Sequence, residues 1–296
     1  MSYLKRFCVM FCKILAAAAG KMLRNETTRD AAGISYFVLM SLFPAILVII
    51  AIADSFLGWM SLNTTVIEII IGLFPGSNQF IRSNLDEITT PSTTGIVSCV
   101  ILVLWTASWI FSFVESSINR AWDIPNQRTF WESRLRTVAL MTLGSVSLFG
   151  MAAFTTFVRI ARARAATNSY FENLPGSVYL MGWFWYYLLL ATGVMVTIFI
   201  LALIYKWTPH CKVFWKEAFS GAVVAAAMLE FAGHIFMRLV PLFDYQQVYG
   251  RMGTVVALLA WIYTSIMIVL FGANFGAQMH WIRSEMTGPL YFAEKR

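Results

Sequence analysis

Residues 252–282 read MGTVVALLAWIYTSIMIVLFGANFGAQMHWI, a stretch without Asp, Glu, Lys or Arg. A helix needs about 20 apolar residues to cross the roughly 30 Å hydrocarbon layer of a bilayer. This stretch exceeds that length and predicts a transmembrane helix. Working outward, Ala31 to Ala53, Ile88 to Val114, Thr137 to Val158 and Asn173 to Tyr205 are equally uncharged, and Ala218 to Met237 is interrupted only by Glu230 and His234. The pattern predicts an all-α, polytopic membrane protein with six transmembrane helices. They fall at about residues 33–54, 95–118, 137–158, 179–205, 218–238 and 254–277 within a single membrane domain, 1–296.

Charge between the spans gives an orientation. Sixteen of the Lys and Arg residues lie before the first span, between the second and third, between the fourth and fifth, and after the sixth; the other gaps hold six. By the positive-inside rule both termini are expected in the cytoplasm. Arg159, Arg162 and Arg164 run against this bias, which makes the third and fourth spans the weakest part of the expected topology.

With 59% hydrophobic and 12% charged residues, the chain departs from the composition of soluble domains, in which about a quarter of residues are charged. A net charge of +7 would suggest a nucleic-acid partner in a soluble protein. Here orientation and contact with anionic lipid account for it, so membrane lipids are the expected partners and nucleic acid is not. Four cysteines are too few and too scattered for a disulfide framework and are expected as thiols.

The segment 1–29 begins like a signal peptide, but Lys13 interrupts its apolar run. An amphipathic helix on the cytoplasmic membrane surface is the expectation. Val66 to Phe74 is short for a span and carries Glu68, so it predicts a short helix in the first outer loop, ended by Pro75-Gly76. Pro44 lies in the middle of the first span and predicts a kink, since proline removes a donor and crowds the carbonyl of Met40. That kink serves either packing or a hinge. Gly221, Ala222, Ala225, Ala226 and Ala227 in the fifth span, and Gly272 and Gly276 in the sixth, predict close approach of these two helices.

Several segments in fixed order carry a resemblance. They are Ala31 to Pro44, Asn119-Arg120-Ala121-Trp122-Asp123-Ile124-Pro125, Tyr205-Lys206-Trp207-Thr208-Pro209, Gly221-Ala222, Tyr249-Gly250-Arg251-Met252-Gly253, Trp261-Ile262-Tyr263 and Leu270-Phe271-Gly272-Ala273. From about Lys21 to Met279 the chain resembles the YihY/BrkB family of bacterial inner-membrane proteins. The resemblance implies a six-helix inner-membrane protein, transporter-like or concerned with the envelope. The family's pattern has glutamate after Gly272-Ala273, where this chain has Asn274, which puts any mechanism needing a carboxylate there in doubt.

Ionisable groups inside a bilayer are expensive and are candidates for function by default. Glu230 and His234, four apart on one helical face, form the candidate intramembrane polar site. They suit relay of a proton or contact with a polar substrate group; the alternative is a structural pair that satisfies itself. Glu115, near the cytoplasmic end of the second span, is expected to anchor the interface, with Arg120 as a partner within reach. Asn274 serves either as interhelical glue or as a site residue. No His-x-His, His-Glu-x-x-His, Gly-x-Ser-x-Gly or Walker pattern occurs, so no catalytic, cofactor-binding or metal-binding residue is predicted, despite the ribonuclease label once attached to the family. Two classes remain: a transporter of an anionic lipid or solute, and a non-transporting scaffold for envelope assembly. The sequence leaves substrate, coupling and oligomeric state open.

Overall fold

The computed structural model describes residues 2–24, 26–57, 93–124, 177–239 and 252–287. The expected third span, the short outer-loop helix at Val66 to Phe74 and the Arg159 to Arg164 cluster lie outside the described residues. Among the described residues the protein is all-helical: α1 (Ser2–Arg24), α2 (Thr27–Leu57), α3 (Thr93–Ala121), α4 (Ser177–Trp207), α5 (Trp215–Leu239) and α6 (Gly253–Thr287). Five of these, α2 to α6, are long and apolar enough to cross a membrane.

The stretch 252–282 forms the centre. A helix touched on one side alternates buried and exposed positions with its own period. In α6, Leu270 through Ala277 are all buried, so neighbours surround it here. It packs against each of the other five described helices. At 35 residues α6 is also the longest, about 52 Å at 1.5 Å per residue, more than a bilayer core requires.

Contacts fix the helix directions. Asp30 of α2 meets Ser117 of α3, while Phe37 of α2 stacks at 6.0 Å on Trp109 of α3, so these two run antiparallel. In the same way Gly221 of α5 meets Gly272 of α6, and Phe236 of α5 meets Trp261 of α6 at 5.1 Å. Leu42 and Ile46 of α2 pack with Leu258 and Ile262 of α6. The short segment 208–214 turns α4 back along α5. Thus α3, α4 and α6 point one way, and α2 and α5 the other.

The seam between α5 and α6 depends on glycine. A Cβ placed on Gly221 would lie 2.4 Å from the carbonyl oxygen of Gly272, and one on Gly272 would lie 2.7 Å from Ala225 Cβ. Real atoms do not approach so closely, so the two backbones touch only because side chains are absent. The small residues predicted to draw these spans together do so. Tyr205 at the end of α4 adds a hydrogen bond, its hydroxyl donating to the carbonyl of Val269 at 2.6 Å.

Pro44 lies inside α2, which continues past it to Leu57. Ser41 does not serve the carbonyl of Met40; its hydroxyl donates to Val38 O at 3.0 Å. The first helix, α1, buries Ile14, Ala18 and Met22, spaced four apart, against Phe271 and Phe275 of α6. Lys13 points away from that seam and is exposed.

Candidate functional site

One end of the bundle gathers the polar side chains. It comprises the C-terminal ends of α1, α3, α4 and α6 and the N-terminal ends of α2 and α5. Asp30, near the start of α2, accepts from the Ser117 hydroxyl and pairs with the Arg120 guanidinium, both on the last turns of α3. Arg120 also donates to Ser116 Oγ at 2.9 Å. Lys21 of α1 reaches Asp123 at 2.5 Å.

The end of α3 explains the Asn119 to Ile124 segment. Asp123 has a left-handed backbone, φ 54°, its N–H donates to Arg120 O, and the Ile124 N–H donates to Asn119 O. This is a Schellman cap, in which aspartate stands where glycine is commonest because a short polar side chain tolerates that conformation. The cap turns Trp122 inward to 6% exposure, leaving it 5.4 Å from the ring of His280.

Two carboxylate–imidazole pairs tie distant elements together here. Glu115 Oε1 on α3 is 2.6 Å from His210 Nε2 in the α4–α5 turn, and buried Asn119 accepts the His210 backbone N–H at 3.1 Å. A carboxylate only accepts, so the shared proton is donated by the ring. Glu217, 2% exposed, serves both α5 and α6. Its Oε2 accepts the Phe214 N–H at 3.1 Å, half of a capping box at the start of α5, and its Oε1 meets His280 Nδ1 at 2.7 Å. In the same turn, partial burial, with the Glu217 carboxylate adding to it, pushes the Cys211 thiol up to about 11.

Of the residues singled out by sequence, Glu115 is held by His210 in this cluster. Asn274 is buried in α6; its amide donates to Leu270 O at 2.9 Å, one turn back, and its Oδ1 has no hydrogen-bond partner. It therefore glues no helix to another among the described residues. Glu230 and His234 are both exposed on the outer face of α5. They sit four residues apart and away from the polar end, and neither makes a hydrogen bond or ion pair among the described residues. The structure thus places Glu115, Asn274 and the Glu230–His234 pair in three separate settings rather than one pocket.

A family model described as Virulence factor BrkB matches residues 18–289. The chain belongs to the BrkB family. Relatives within reach of sequence comparison carry the description UPF0761 membrane protein. The one from Aeromonas salmonicida (strain A449) is 26% identical, over 84% of this chain and 83% of its own. That from Aggregatibacter aphrophilus (strain NJ8700) is 25% identical over 95% and 94%, and that from Pseudoalteromonas translucida (strain TAC 125) is 28% identical over 86% and 81%. No solved structure matches. The family match and the apolar helices together make this a multi-pass membrane protein, as the sequence suggested.

Within this BrkB-family chain, sequence reasoning missed the clamp at the polar end. Asp30, Ser117 and Arg120 lie in segments whose positions looked like ordinary span ends. Glu217 carried one usable signal, its place three residues after Phe214 at a helix start. His210 and His280 looked unrelated to any carboxylate because their partners are 95 and 63 positions away.

Proposed function

We propose that this BrkB-family protein lies in the bacterial inner membrane with both termini in the cytoplasm and moves an anionic solute or lipid across it. The observation that carries the reading is the placement of Glu230 and His234. In a helix apolar enough to span a bilayer, a carboxylate and an imidazole are costly, and no described residue takes a hydrogen bond from or gives one to either. The alternative of a self-satisfied structural pair loses ground, because a structural pair would be bonded. Relay of a proton or contact with a polar substrate group remains as their use.

Six crossings belong to the same proposal. Helices α3 and α4 point the same way, with Glu115 near the end of one meeting His210 just past the end of the other. Consecutive spans alternate in direction, so the chain between them has to cross an odd number of times. The uncharged stretch Thr137 to Val158 is the segment of suitable length. The polar end carries Lys21, Arg29, Arg120, Lys206, Lys212 and Lys216, which supports its assignment to the cytoplasmic side. The docking of α1 beside this end accords with a helix at the cytoplasmic membrane surface. The proposal includes membrane lipids as partners and neither enzymatic activity nor binding of nucleic acid.

A second reading, a non-transporting scaffold for envelope assembly, draws on the glycine seam of α5 and α6 and on the structural use of Glu115. The two are separated by proteoliposomes containing wild type or Glu230→Gln, offered anionic solutes and lipids in turn with internal pH recorded. A substrate-dependent proton flux abolished by Glu230→Gln is the expected result. Folded, correctly oriented protein that moves none of them favours the scaffold.

A further inference from the structure

The outward faces of the described helices are not alike. On α3 the exposed positions Val97, Ile101, Leu104, Trp105 and Trp109 are all uncharged, and on α4 so are Tyr187, Leu190, Met195 and Phe199. These faces suit lipid. The outer face of α5 exposes Val223, Ala227, Glu230, His234 and Met237, which follow one another at spacings of four, three, four and three. That is the seam spacing of a helix that packs along its length against another helix. Its opposite face is already occupied, with Ala218, Gly221, Ala222, Ala225 and Ala226 buried against the bundle. So α5 carries a second packing stripe, with a small residue and two ionisable ones on it, and hydrocarbon is the wrong neighbour for those two.

We propose that a second copy of this chain covers this stripe, forming a two-fold dimer along α5 in which Glu230 of each copy meets His234 of the other. A two-fold axis makes residue i of one copy meet residue j of its partner and the reverse. A carboxylate and an imidazole on one stripe are complementary under that operation, giving two equivalent pairs. The two residues differ in height by about 6 Å, four residues at 1.5 Å each, within reach of these side chains across a parallel seam. Ala227, one turn below, lets the helices approach as small residues do in membrane interfaces. The inference uses the same residues as the transport reading and deepens it: the polar groups would line the boundary between two copies. It rests on that reading only for what the boundary does, and association is measured without any substrate.

The test uses full-length protein in native membranes, with the four cysteines replaced by serine and one cysteine introduced at a time. Ala227→Cys and Val223→Cys are expected to form disulfide-linked dimers under mild oxidation, while Leu104→Cys on the lipid-suited face of α3 does not. In the Ala227→Cys background, Glu230→His is expected to lower the dimer association constant at least about fivefold by setting imidazole against imidazole. Adding His234→Glu restores it, because the swapped pair is again complementary under the two-fold axis. Crosslinking at 227 and 223 no greater than at 104 overturns the proposal, whatever the flux experiment gives. Crosslinking that ignores both substitutions overturns the assignment of the pair. Dimer formation without any flux contradicts the transport reading and leaves the dimer standing.

Discussion

At the residue scale, Glu217 holds the most consequential position. Its two oxygens serve different elements, so Glu217→Ala removes the cap of α5 and leaves His280 without its partner. Breaking a buried pair in this way costs about 3 kcal/mol, read as a lowered unfolding temperature in detergent. Glu217→Gln keeps an acceptor for the Phe214 N–H and is expected to lose only about 1 kcal/mol. Asn274 presents the opposite case, a buried oxygen with no partner. Replacing a poorly satisfied amide by an apolar group of similar size is nearly neutral or stabilising, so Asn274→Leu should melt at or above the wild-type temperature. A clear fall would mean the amide has an interhelical role after all. Cys211 supplies a pH dependence. Its thiol is pushed up to about 11, and only the thiolate reacts, so alkylation at Cys211 should still be accelerating between pH 9 and 11, where an ordinary thiol has levelled off. Labelling that saturates near pH 9 would contradict this. Glu230, His234, Glu115 and Asn274 were recognisable from sequence as charge or polarity inside apolar runs. Their partners were not, since a hydrogen bond between Glu115 and His210 depends on how α3 and the α4–α5 turn come together, which no local pattern records.

At the element scale, the α5–α6 seam and α1 make contrasting predictions about glycine. A methyl on Gly221 would strike backbone, which has no rotamer to move into, so Gly221→Ala should destabilise by about 3 kcal/mol and separate the two helices. Gly20 in α1 has nothing within 4 Å of a Cβ, so Gly20→Ala should be neutral or gain up to about 1 kcal/mol from helix propensity. Thermal unfolding of the two variants side by side checks both, and equal effects would undermine the account of the seam. The helices themselves were largely legible, because hydrocarbon demands long apolar runs and such runs are visible in one dimension. Their ends were less so. The fourth span was expected near residues 179–205 and the helix runs Ser177–Trp207; the sixth was expected to end near 277 and continues to Thr287. The extension carries His280 to Glu217 and Trp122, a contact made outside the apolar stretch that defined the span.

For the whole molecule, the account is that α2 to α6, with one more crossing between α3 and α4, form a bundle around α6 whose polar end faces the cytoplasm. Alternating charge in the sequence pointed to that orientation, and the agreement of five helix directions with it comes from independent contacts. What the sequence left unread is why the polar end coheres: Asp30 with Arg120, Lys21 with Asp123 and Glu217 with His280 join residues from all over the chain. The most direct measurement is the side of the membrane from which single cysteines are labelled, in a background with the native four replaced by serine. Thr28→Cys at the start of α2, Lys212→Cys in the α4–α5 turn and Met252→Cys before α6 are all at exposed positions. A membrane-impermeant maleimide should reach 28 and 212 only in inverted vesicles and 252 only in intact spheroplasts. Labelling of 28 and 212 from opposite sides, or of 252 from the same side as 212, would contradict the arrangement.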